Sequence, residues 1–374
     1  MQEFQHVVAQ LAGVGNPRVG HDQEPVRGDT ERGPVRPAAA KGITYDTGFI
    51  NQGTSTHERF DSELVRRDLR VIRDDLHCTA VRVTGGDVDR LEIAAKHAAD
   101  LGLGVWFSPF TCDLTTDELL TCLTDCAERA ERLRLTGAGV VLVAGAELSL
   151  CTIGFLPGDT LGDRIGILSP TFPRLREVMA AVPPLINDFL AKAVAVVRER
   201  FGGKVTYASI PFEGVDWTPF DFVGVDSYRT TEIAEMYPGA IRSLVAQGKP
   251  LAITEFGCAT HRGAAGEGAR GGMIVEWDGK ANPLRLDGDY VRDEDEQATC
   301  IRELLDIYTA EDVDSVFLCT FACYHLPHRE GSREDLDMAS YGVVKVAEDR
   351  VGWEPKVAFG VLADYYGVSS SSAG

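Results

Sequence analysis

Between residues 42 and 366 the chain repeats one pattern: a short apolar run, then a stretch with apolar residues at helical spacing. Strands that alternate with helices predict a parallel sheet, because parallel neighbours need a crossover long enough to carry a helix. The predicted strands are GITYDTG (42–48), TAVRVTG (79–85), GVWFSPF (104–110), GVVLVAGAEL (139–148), KVTYASIPF (204–212), FDFVGVDSY (220–228), KPLAITEFGCAT (249–260) and VDSVFLCTFAC (313–323). Predicted helices span 61–76, 87–101, 116–135, 182–201, 231–247, 293–310 and 355–366; Leu64, Leu69, Ile72 and Leu76 show the spacing in the first. The link between strands five and six is short and carries Trp217 and Phe220. Eight strand–helix units predict an α/β fold, a single (β/α)8 TIM barrel. Its long loops follow strands 4, 7 and 8.

One barrel accommodates the 374 residues without a second domain. Residues 1–40 read as a loosely packed tail, rich in Gly, Pro, Arg and acids from 15 to 37, with a short helix at 4–11. The barrel takes 41–367, and 368–374 form a Ser-rich tail.

The net charge is -20, from 37 basic and 57 acidic side chains, which argues against nucleic acid and anionic membranes as partners. No run reads as long and apolar enough to span a bilayer, and the first residues lack the basic and apolar regions of a signal peptide. Nine cysteines, several of them in apolar segments and none in matched CxxC pairs, predict reduced thiols and a cytoplasmic setting. The chain carries no GxGxxG after a strand, no P-loop and no GxSxG elbow. No cofactor is required, and the expected partner is a small-molecule or oligosaccharide substrate.

Two glutamates carry the chemistry. Glu255 stands where the apolar run LAI of strand seven ends, and Glu147 follows VVLVAGA at the end of strand four. A carboxylate at the end of a buried strand costs desolvation energy, so it either pairs with an arginine or serves a site. In a parallel barrel this end is the catalytic face, and strands four and seven oppose each other across its mouth. Two carboxylates so placed suit glycoside cleavage: one donates a proton to the leaving oxygen, the other attacks the anomeric carbon or activates water. Tyr45 and Asp46 end strand one and hold either a substrate hydroxyl or a loop. Asp226 binds substrate or pairs with Arg229, and Glu213 offers a third carboxylate at the mouth. His261 lies just past Glu255, and Trp106 and Trp277 are stacking candidates, Trp277 the better one because loops reach the mouth. His325 and His328 near Cys319 and Cys323 raise a metal reading, but their spacing fits no zinc finger, and no metal is expected.

In ITEFG on strand seven, FVGVDSY on strand six and the closing WEPKVAFGVLADYY (353–366), the chain resembles the retaining (β/α)8 glycoside hydrolases of clan A. The resemblance covers roughly 42–366 in the order and spacing of elements. It implies that Glu147 is the acid/base and Glu255 the nucleophile. It also implies that Tyr228 hydrogen-bonds the nucleophile and that Arg82 steadies it from below. Two positions depart from the family. Ala146 stands where an Asn usually binds the sugar 2-hydroxyl, and strand eight lacks the expected Trp, so Phe321 or Tyr324 would form the sugar platform. Two other readings stay open: the same carboxylates run a dehydration, cyclisation or group transfer, or the cleft binds carbohydrate without turnover.

Overall fold

The computed structural model describes residues 39–169, 172–331 and 333–368. The expected 4–11 helix, the tail up to residue 38 and residues 369–374 lie outside the described residues. The chain forms eight barrel strands: β1 Ala40–Asp46, β2 Ala80–Gly85, β3 Gly104–Pro109, β4 Val140–Ala146, β5 Lys204–Ala208, β6 Val223–Asp226, β7 Leu251–Phe256 and β8 Ser315–Leu318. They lie side by side in the order β6-β7-β8-β1-β2-β3-β4-β5. The ring closes between β5 and β6, where the Ser209 N–H donates to Gly224 O (3.1 Å) and the Asp226 N–H donates to Ser209 O (2.9 Å). Strand one begins earlier than expected: Ala40 already pairs with Ser315.

Alternation along each strand sorts side chains into two layers. Ala40, Ala80, Trp106, Val143, Ala146, Ala208, Phe222, Ala252 and Phe317 pack together inside the barrel. The residues between them, such as Val81, Val105, Leu142 and Ile253, join a much larger core beneath the helices. Those helices are α1 Ser62–Asp74, α2 Val88–Asp100, α3 Thr116–Arg134, α4 Leu175–Arg198, α5 Tyr237–Val245, α6 Glu294–Ala310 and α7 Val357–Gly367. Polar caps set their starts: Asp61, Asp87 and Asp293 accept backbone N–H bonds, and Thr115 and Glu118 form a capping box.

The structure departs from the sequence expectation in three places. First, the count of eight strand–helix units is one helix too many: as the short predicted link between strands five and six requires, no helix follows β5, and a single 3-10 turn, Pro211–Glu213, leads toward β6. Lys249 holds this connection, its Nζ donating to the carbonyls of Trp217 (2.7 Å), Thr218 (2.8 Å) and Phe220. Second, α4 starts at Leu175 and runs through Pro183 and Pro184. Its buried face of Leu175, Met179, Val182 and Ile186 is continuous across the prolines, and tertiary packing outweighs the lost N–H bonds. Among the described residues α4 is also the one helix long and apolar enough to cross a membrane by length and composition, which amends the reading of no such run. Third, the loop after β4 contains two short helices, Leu148–Cys151 and Leu161–Ile167.

Closing the ring brings backbones close at one glycine. A Cβ on Gly224 would stand 2.1 Å from Tyr207 O and 2.7 Å from Thr206 Oγ1. Gly224→Ala is therefore expected to destabilise the fold by at least ~2 kcal/mol in urea unfolding; an unchanged midpoint would show that the β5–β6 seam is not the tight closure described.

Candidate active site

Strict alternation would point Glu255 away from the barrel interior. Ile253 and Phe256 are three residues apart, yet both pack in the outer core. The extra residue is a β-bulge: across β8, Ile253 pairs with Val316 and Phe256 with Leu318, and across β6, Val225 pairs with Ile253 and Asp226 with Glu255. The bulge turns Glu255 inward beside Thr254, which is how bulges beside functional sites re-aim side chains. There the Glu255 Oε1 accepts from Arg82 Nη1 (2.8 Å) and its Oε2 from the Tyr228 hydroxyl (3.1 Å). Burial keeps the Tyr228 phenol well above its ordinary pKa, with Cys319 and Glu255 adding to the effect, so it stays a donor.

Glu147 reaches the same mouth by a second bulge. Val143 and Ala146 both face the interior although three residues apart, and pair with Thr206 and Ala208, two apart. Gly145 takes the extra turn at φ +102°, where a Cβ would stand 2.9 Å from Leu148 Cδ2. Glu147 itself is left-handed (φ 47°, ψ 42°), a conformation costing roughly 1–3 kcal/mol that surrounding structure must hold. It is held from β5. The Leu148 N–H donates to the Tyr207 hydroxyl (2.8 Å), and the Ser149 N–H donates to Glu213 Oε1 (2.9 Å). Glu213 Oε2 accepts from Tyr207 (2.8 Å), Ser209 Oγ (3.0 Å) and the Ile210 N–H (3.2 Å).

One carboxyl oxygen from each of Glu147, Asp226 and Glu255 lies within 4.8 Å of the others. Arg82 is the cation among them. It is fully buried, donates to Ser108 Oγ (3.1 Å) and Thr254 O (2.9 Å) as well as Glu255, and stands 3.7 Å from Asp226 Oδ1. Several acids around one guanidinium cannot all be charged at little cost. Burial raises Glu147 well above the ordinary carboxylate range, and Asp226, Glu255 and Glu213 push it further. Burial, then Glu255, pushes Asp226 up to about 8 against the pull of Arg82 and Thr254. Burial also raises Glu213, partly offset by its hydrogen bonds.

The structure thus brings together Glu147, Glu255, Arg82, Tyr228 and Asp226. It puts the other candidates elsewhere. Glu213 is fully buried behind the turn it supports and does not line the mouth. Trp106 is a core residue inside the barrel, packed on Phe222 and Phe317 at 5.1 and 4.6 Å. Phe321 is fully buried between Tyr45 and Trp353. Tyr45 and Tyr324 are buried under the rim, and their hydroxyls donate to Asp68 of α1 at 3.2 and 2.5 Å. Neither Phe321 nor Tyr324 is a sugar platform, because outer-core packing and Asp68 claim them. Asp46 holds the loop after β1, accepting from the Gly48 N–H (2.8 Å) and from Thr56 Oγ1. His261 is buried with its ring nitrogens against the Gly271 and Arg262 carbonyls, a loop-fixing role. Trp277 is 46% exposed on a two-stranded ribbon, with its ring over His325. His328 is paired with Asp335 (2.8 Å). Among the described residues the one group of three potential metal-binding side chains is the carboxyl trio itself. Surface depressions of about 370 Å³ and 630 Å³ lie away from it, the first between α6 and α7. Sequence reasoning missed Thr254 and Ser108, which flank the site, although TEF carried Thr254 in plain view and alternation from Ile253 already points it inward.

Among solved structures the fold is similar to a GH113 β-1,4-mannanase, at 17% identity and a TM-score of 0.56, covering 88% of this chain and 99% of that one. GH113 β-mannanase AaManA from Alicyclobacillus acidocaldarius, solved in complex with ManMIm, gives 16% and 0.56, covering 89% and 98%. An apo β-glucosidase 1317 gives 13% and 0.54, covering 88% and 98%. No family model matches the chain, and no curated protein matches it. At these identities the likeness is one of fold: a (β/α)8 barrel of the architecture seen in clan A glycoside hydrolases.

The raised Asp226 has a consequence for stability. The unfolded chain loses this proton near pH ~3.9, whereas the fold keeps it up to about 8. Its contribution is therefore complete below the unfolded value and is lost as pH rises through about 8. Asp226→Asn mimics the protonated form. Thermal unfolding should show wild type losing ground to the variant as pH rises from acid to mildly alkaline. A pH-independent difference in Tm would contradict the assignment.

Proposed function

We propose that this protein is a retaining glycosidase or transglycosylase acting on a glycoside or oligosaccharide. The observation that carries this reading is the convergence of Glu147 and Glu255, from strands on opposite sides of the barrel, to within 4.8 Å. Retaining enzymes hold their two carboxyl groups about 5–5.5 Å apart, and inverting ones about 6.5–9.5 Å to admit a water. The short spacing supports retention.

In this reading Glu147, whose burial among acids keeps it protonated, gives its proton to the leaving oxygen. The Glu255 carboxylate attacks the anomeric carbon as the bond to that oxygen breaks, forming a glycosyl ester. Glu147, now ionised, takes a proton from water or an acceptor hydroxyl, whose oxygen displaces Glu255. Arg82 and Tyr228 fix one Glu255 oxygen each and so aim the attack. All nine cysteines are free thiols, which supports a cytoplasmic setting. Ala146 presents only a methyl beside Glu147 and favours, as a second reading, a substrate other than a plain pyranoside handled by the same carboxylates.

A panel of aryl β-glycosides tests the proposal. Glu255→Gln should abolish turnover. Glu147→Gln should lower kcat/KM by about 10²–10⁴-fold for poor leaving groups and much less for 2,4-dinitrophenolate, which needs no proton. NMR of the first-formed sugar should show the substrate's anomeric configuration. Full activity in both variants would remove the glutamates from the mechanism, and inverted product would remove the covalent ester.

A further inference from the structure

The cluster holds one acid more than the double displacement uses. Asp226 is 2% exposed; its Oδ1 accepts from Thr254 Oγ1 (2.6 Å), and its Oδ2 has no hydrogen-bond partner among the described residues. A buried carboxyl oxygen left without a donor is costly, and native structures keep one where something else satisfies it. Arg82 makes no hydrogen bond to it: its Nη1 is engaged by Glu255 Oε1 and Thr254 O and lies 3.7 Å from the other Asp226 oxygen, and its Nη2 has no hydrogen-bond partner among the described residues either. On the other side, Ala146 offers no hydrogen bond to a sugar hydroxyl. Beside the nucleophile, Asp226 Oδ2 is therefore left without a hydrogen-bond partner from the described residues.

We infer that the reacting sugar carries an amine on the carbon next to the anomeric one, which takes up the proton that Asp226 holds and leaves Asp226 as its counter-ion. This inference rests on the roles proposed above for Glu147 and Glu255. An attack by Glu255 on the anomeric carbon puts the neighbouring carbon's substituent against the carboxyl oxygens beside it. An ammonium donates up to three hydrogen bonds, a hydroxyl one. Two acceptors about 2.8 Å from one nitrogen lie at most about 5.6 Å apart, so Asp226 and Glu255, with oxygens within 4.8 Å of each other, can both accept from it while Glu147 keeps its proton for the leaving oxygen. The amine also gives the third acid a purpose. Glycosyl transfer builds positive charge on the anomeric carbon, an adjacent ammonium opposes it, and a fixed anion beside the ammonium offsets that opposition.

The test compares 4-nitrophenyl 2-amino-2-deoxy-β-D-glucoside and -mannoside with their 2-hydroxy and 2-acetamido counterparts, on the full chain, at a pH where the amine is charged. In parallel, calorimetry compares free glucosamine and mannosamine with glucose and mannose. Wild type should favour the amine at least tenfold in kcat/KM and in binding. Asp226→Asn should cut that preference at least tenfold, and Asp226→Glu should restore part of it. If neutral glycosides turn over through Glu147 and Glu255 and the amine brings no advantage, the inference fails while the proposed function stands. If amino sugars bind through Asp226 and no glycoside turns over, the amine site stands and the glycosidase reading fails. Micromolar binding of Mg²⁺ or Zn²⁺ that depends on Asp226 and resists amino sugars would also overturn the inference.

Discussion

A single buried guanidinium organises the mouth of this barrel. Arg82 rises from β2 with no exposure and reaches a hydroxyl from β3, a carbonyl and a carboxylate from β7, and the vicinity of a carboxyl from β6. Removing one member of a buried ion pair typically costs about 3–5 kcal/mol, because the survivor stays uncompensated. The acids around Arg82 are tolerable only because it is there, and its own burial is tolerable only because they are. Burial among these acids raises the pKa of both Glu147 and Asp226, while two donors hold Glu255.

Side chains reach this arrangement through irregular backbone. A regular β4 and β7 would alternate their last residues to the wrong layers. One extra residue in each strand, near Gly145 in β4 and between Ile253 and Phe256 in β7, rotates the ends so that Ala146 and Glu255 face inward. Apolar layers below, with Trp106 filling the barrel's interior, give these bulges a rigid floor.

The architecture was largely legible in the sequence because period-two runs and helical spacing report burial directly. The eight strands and the positions of Glu147 and Glu255 could be read from apolar runs that stop at an acid. What misled was packing of polar tips. Tyr45, Tyr324 and Phe321 sit at strand ends like substrate-binding groups, but they face the helices, where Asp68 supplies a buried acceptor that no local pattern announces. Glu213 follows β5 as a site carboxylate would, yet a 3-10 turn folds it under the Glu147 turn. The passage of α4 through two prolines was illegible for a related reason: tertiary packing decided it over local propensity.

The support beneath Glu147 comes from a neighbouring strand, through Tyr207 and Glu213 to the amides of Leu148 and Ser149. The side chain at position 146 takes no part in that scaffold. The two positions are thereby uncoupled: residue 146 can change while the turn that carries Glu147 keeps its station.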